Sequence, residues 1–289
     1  DLVIDPSDSN VIYATNGMET NGDINGEDLG YLYRSEDAGK SWGKIDIGSQ
    51  FNQRFTLNSV VIHPENSDRI YVLGQDQRIL ISENRGDSWE LITDSGLIGI
   101  GTFVEYHPLN YNIMYATTYA AGIFKSIDGG RTWEDLNGKE ISFAYVEGML
   151  ADSKNAGRLY TQSFENGFHY TDDYGESWQR GHFSGNYYMW GSMLEKTESS
   201  NNIYALNRNT GWLKRLHSLD GVWELLAIPI IGGNEPALNI IKGSDITPDL
   251  FFLGTWENGV LKSEDGGDNW VKSGDSLNNL NVKAIAIDP

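Results

Sequence analysis

Ser35-Glu36-Asp37-Ala38-Gly39-Lys40-Ser41-Trp42 is an eight-residue phrase that this chain uses five times. It returns at Ser82 to Trp89, Ser126 to Trp133, Thr171 to Trp178 and Ser263 to Trp270. Each copy has a hydroxyl residue first, Asp or Asn third, glycine fifth and tryptophan last. A shortened copy, Ser218-Leu219-Asp220-Gly221-Val222-Trp223, completes a series of six tryptophans spaced by 47, 44, 45, 45 and 47 residues. A period of this length signals a propeller or a solenoid.

The phrase has the chemistry of a turn. Asp37, Asn84, Asp128, Asp173 and Asp265 can each fold a side-chain oxygen back onto backbone N–H groups, and the glycine three before each tryptophan accepts a positive φ without steric cost. The indoles of Trp42, Trp89, Trp133, Trp178, Trp223 and Trp270 are expected to enter the core. Alternating apolar stretches such as Gly122-Ile123-Phe124-Lys125 lead into each turn, and Glu90-Leu91-Ile92 exemplifies the residues leaving it. Upstream come a tyrosine-centred stretch, Ile113-Met114-Tyr115-Ala116, and a run that ends in a proline turn, Val60-Val61-Ile62-His63-Pro64. Four short strands per period describe a blade of four antiparallel strands, and the fold class is an all-β propeller.

Six repeats are visible, at approximately 1–50, 51–98, 99–140, 141–183, 184–234 and 235–281, in one propeller domain spanning 1–289. Leu2-Val3-Ile4-Asp5-Pro6 and Ile285-Ala286-Ile287-Asp288-Pro289 occupy the same place in the repeat, so residues 282–289 start or close a blade. The expectation is six or seven blades, within a longer, processed or cropped product. The shortened fifth copy predicts a distorted outer hairpin.

The phrase resembles the Asp-box, or bacterial neuraminidase repeat, of sialidases, sortilin-type receptors, xyloglucan-degrading glycoside hydrolases and propeller assembly factors of photosystem II. That resemblance implies an extracellular, cell-surface or periplasmic protein whose box residues are architectural, with ligands taken on the face opposite the boxes. Enzymes, receptors and scaffolds all use this fold, so function is sought in the loops.

Composition narrows the classes. The formal net charge is −20 over 289 residues, which argues against binding nucleic acid and leaves cations as the more natural partners. There is no cysteine, so disulfides do not stabilise the fold, and no apolar run is long enough to span a membrane.

Three loop features carry chemistry. The longest insertion, residues 16–30, contains Asn21-x-Asp23-x-Asn25-Gly26, with Asp28 beyond it: alternating oxygen donors around a glycine turn, as in the first half of a calcium loop. Leu32 stands where a calcium loop would place its bidentate glutamate, so calcium is an optional cofactor and none is required. Tyr119, Tyr187, Tyr188, Trp190 and Trp256, with Glu257, set flat rings beside polar groups in loops and suit sugar stacking, although such rings also fill the space between blades.

Glycoside hydrolysis needs two carboxylates. Asp28-Leu29-Gly30-Tyr31-Leu32-Tyr33-Arg34 is similar to the stretch that carries a catalytic aspartate in the xyloglucanases, and Glu147, Glu165 or Glu257 could serve as its partner. Nothing in the sequence assembles Arg54, Arg208 and Arg215 into the arginine triad of a sialidase, and His63 and His107, each before a proline, look like turn residues. The leading reading is a module that binds a glycan or a partner protein, alone or with further domains or subunits of a surface assembly. The alternative is a hydrolase of a β-glucan such as xyloglucan.

Overall fold

The computed structural model describes residues 1–15, 31–51, 56–74, 77–137, 146–163, 167–181, 192–197, 201–208, 211–231, 235–274, 277 and 279–288. The chain is an all-β propeller of six blades, each a four-stranded antiparallel sheet whose strands are ordered as in the sequence. The first sheet consists of Leu2–Asp5, Asp8–Thr15, Leu32–Ser35 and Gly43–Ile45. The others occupy residues 57–92, 100–135, 146–180, 192–226 and 238–273. Sheets one to three belong to a compact unit, Asp1–Asn137, and sheets four to six to a second, Gly138–Ile287.

The alternating stretches become strands because their apolar residues can be buried between neighbouring sheets. The tyrosines at the centre of the second strands, Tyr13, Tyr71, Tyr115, Tyr160 and Tyr204, are all buried. Trp89 packs into the cluster that holds Tyr13 of the preceding sheet. The Trp133 ring meets Tyr71 edge-on at 6.2 Å, and Trp223 meets Phe168 at 5.3 Å. Each of these indoles therefore enters the sheet before its own.

Two tryptophans depart from the expected burial. Trp42 is 41 % exposed and Trp178 is half-buried. These are the first box tryptophans of the two units.

The five full boxes share one geometry. In the third, Ser126 Oγ donates to Asp128 Oδ1 at 2.8 Å and accepts the Gly130 N–H at 2.9 Å. Asp128 then receives the Thr132 N–H at 2.9 Å and the Thr132 hydroxyl at 2.6 Å, while Trp133 Nε1 donates to Gly130 O at 3.0 Å. The turn needs two successive residues at positive φ, and only the second is the glycine legible in the phrase. Ala38, Arg85 and Tyr174 occupy the first position at 57°, 59° and 61°, where Gly129 and Gly266 stand in the other boxes.

The fifth copy closes its short turn with a Gly221 N–H to Ser218 O bond of 2.8 Å. The expected distortion stays in that turn: Glu224–Leu226 still pairs with Trp212–Leu216, and Trp223 is only 5 % exposed. His63 and His107 hold turns, each Nδ1 accepting the N–H two residues on, as Asp5 and Asp152 do at the same repeat position. A five-residue helix, Ile47–Phe51, was not foreseen. Asp46 Oδ1 accepts the Ser49 N–H at its start, and Ile47 is buried in the core.

Candidate ligand-binding rim

The second and third strands of each sheet are joined at the end opposite the box turns. In the sixth sheet that connection is Trp256-Glu257-Asn258-Gly259, and its backbone is tightly engaged. Thr255 Oγ1 accepts the Asn258 N–H at 2.9 Å and donates to Gly259 O at 2.9 Å. The Trp256 N–H donates to Ala237 O at 2.8 Å, and the Gly259 N–H to Leu280 O at 2.9 Å. The φ of +77° at Gly259, and the Leu280 Cδ2 atom 3.3 Å from where a Cβ would sit, leave that position to glycine.

On this braced turn the Trp256 ring is 50 % exposed, and Glu257 beside it is exposed. Leu277 and Leu280, 42 % and 37 % exposed, lie against Gly259 and extend the apolar surface. Asn239 supports the same edge. Its Nδ2 donates to Asn281 Oδ1 and to Val282 O, both at 3.1 Å, while its backbone carbonyl accepts the Nε–H of the exposed Arg208 at 2.7 Å. A half-exposed flat ring beside an exposed carboxylate can cover apolar C–H surface and take hydroxyl groups at its margin.

Tyr119 is half-buried at the end of Met114–Tyr119 in the first unit, whereas Trp256 and Glu257 belong to the second, so no one unit contains all three. Glu147 falls at the register shift between Val146 and Gly148. Asn21, Asp23, Asn25, Asp28, Glu165, Tyr187, Tyr188 and Trp190 lie outside the described residues. Among the described residues, no three His, Cys, Asp or Glu side chains group to hold a metal ion. Of the arginines weighed for a sialidase triad, Arg215 points to the box of the sixth sheet, with Nη2 2.8 Å from Asp268.

Sequence reasoning weighed Arg208 only for a sialidase triad and missed its place on this rim, although a signal was present. Arg208, Tyr119 and Trp256 stand four residues after Tyr204, Tyr115 and Phe252, which face Arg215, Lys125 and Lys262 at one register position. That place in the repeat puts side chains on the rim.

The recurring turn, seated in six four-stranded sheets, decides the class. This is an Asp-box β-propeller. A family model described as "Sortilin, neurotensin receptor 3" matches residues 30–97 of the propeller. The propeller is 22 % identical over 197 residues to the oligoxyloglucan-reducing end-specific xyloglucanase of Emericella nidulans, covering 62 % of this chain and 23 % of that protein. It thus spans less than a quarter of the xyloglucanase it matches. The GH74 xyloglucanase from Xanthomonas campestris superposes with a TM-score of 0.70 at 16 % identity, over 93 % of this chain and 44 % of that one. YCF48 bound to D1 peptide gives 0.67 at 17 % identity, over 93 % and 78 %. At such identities the likeness shows the fold. No helix among the described residues is long and apolar enough to cross a membrane.

Proposed function

We propose that this propeller is a binding module, working outside the cell or at its surface, that takes a glycan on the rim carrying Trp256. The observation that supports this most directly is a half-exposed indole on a turn whose backbone bonds are already made within the protein. Such a ring loses little conformational freedom on binding, which favours affinity. The xyloglucanase relatives agree with a polysaccharide ligand.

Calorimetric titration with xyloglucan and mixed-linkage β-glucan oligosaccharides tests the reading. Trp256→Ala should weaken binding at least tenfold with an unchanged Tm. Equal affinity in wild type and variant would overturn it.

Hydrolysis is the second reading, favoured by the xyloglucanase relatives and the exposed Glu257. Reducing-sugar release from xyloglucan, abolished in both Asp28→Asn and Glu257→Gln, would establish it. A protein partner is the third, prompted by the peptide held by YCF48. Calcium in the 16–30 insertion remains part of this proposal, and titration of wild type and Asp23→Ala would test it.

A further inference from the structure

Asp5 and Asp152 are the same residue of two repeats. Val3 faces Tyr13 across the first sheet as Leu150 faces Tyr160 across the fourth, and each aspartate comes two residues later. Both are almost fully buried, at 1 % and 2 % exposure. Each uses Oδ1 in the same way, to accept the N–H two residues on at 2.8 Å.

Their second oxygens differ. Asp152 Oδ2 accepts the Tyr160 hydroxyl at 2.7 Å and lies 3.0 Å from Nζ of Lys196, whose side chain is itself 6 % exposed. Asp5 Oδ2 is buried and meets no hydrogen-bond donor among the described residues. The Tyr13 hydroxyl, counterpart of Tyr160, donates instead to Arg85 O at 2.9 Å. The counterpart of Lys196 is Ile62, since Val61 faces Tyr71 as Glu195 faces Tyr204 and each is one residue earlier.

Asp5 is nevertheless held as a carboxylate. Burial pushes its pKa upward, but the hydroxyls of Ser67 and Ser7, the Ser7 N–H and the charge of Arg85 outweigh it, and the net displacement is downward. The Arg85 guanidinium bonds through Nε to Asp68. A buried carboxylate oxygen without a partner is destabilising, and in the fourth repeat the Lys196 ammonium group lies beside it.

We propose that Asp5, between the first and second sheets, binds a small monovalent cation such as Na⁺, K⁺ or ammonium. Asp5 Oδ2 supplies the charge, while the Ser7 and Ser67 hydroxyls hold the other oxygen and so fix the carboxylate. The ion occupies the place that Lys196 Nζ takes beside Asp152.

Thermal unfolding in NaCl, KCl, NH₄Cl and N-methylglucamine chloride at one ionic strength tests the site, the last cation being too large to enter. At ten times the dissociation constant, a bound ion should raise Tm by about 2–4 °C over N-methylglucamine, and the rise should grow with the logarithm of its concentration. Ile62→Lys, which supplies an internal ammonium, should remove that response, as should Asp5→Asn. The same Tm for the wild type in all four salts would overturn the proposal, as would a full response in either variant. Should neither variant fold, the wild-type comparison alone decides.

Discussion

Tyr204 donates its hydroxyl hydrogen to the carbonyl of Gly266 at 2.9 Å, joining the second strand of the fifth sheet to the box turn of the sixth across 62 residues of chain. Arg215, which faces Tyr204 in the sheet, donates to the same oxygen at 3.0 Å and bonds Asp268. The first and second sheets repeat this arrangement: Tyr13 and Arg34 both donate to Arg85 O, at 2.9 and 3.1 Å. The boxes are therefore acceptors for the neighbouring sheet as well as turns of their own.

Tyr204→Phe removes one of the two donors to Gly266 O. Because Arg215 still satisfies that carbonyl, the cost should be about 1 kcal/mol, whereas Tyr204→Ala should cost about 3–5 kcal/mol by opening a cavity. Urea denaturation separates the two, and a Phe variant as unstable as the Ala variant would contradict this assignment.

Box tryptophans should differ by position. Trp133→Ala, at 7 % exposure and edge-on to Tyr71, should cost about 3–5 kcal/mol. Trp42→Ala, at 41 % exposure, should cost about 1 kcal/mol. Similar losses of Tm for both would show that exposure does not set their contribution.

The box carboxylates make stability depend on acid. The hydroxyl and then the N–H of Ser41 hold Asp37 down at about 2, below its ordinary 3.8. A depressed folded-state value stabilises the protein above the unfolded value, and the contribution is lost as pH falls from about 4 through 2. Asp37→Asn should remove part of the decline in Tm across that window and leave Tm unchanged in slope above pH 5. Asn84, an amide that fills the same place in the second box, shows that the replacement fits the turn.

Ala38 stands at a φ of 57° where two other boxes use glycine. Ala38→Gly should relieve left-handed strain by more than it adds to the freedom of the unfolded chain, for a gain of about 0.5–1 kcal/mol. Differential scanning calorimetry would register this as a higher Tm, and a lower one would refute it.

Sequence alone determined the period, the four strands of each repeat and the turn that closes them, because those rest on contacts within a few residues: Asp128 reaches Thr132, and Ser126 reaches Gly130. It could also mark Trp256, which directly follows a strand, and Tyr119, which ends one. Tertiary structure decided which indoles are covered, since burial of Trp133 depends on Tyr71 in the preceding sheet while Trp42, in the same recurring phrase, is 41 % exposed. It also decided that Arg208 bonds Asn239 and that Asp5 lacks what Lys196 gives Asp152, because these pairings cross from one repeat to another.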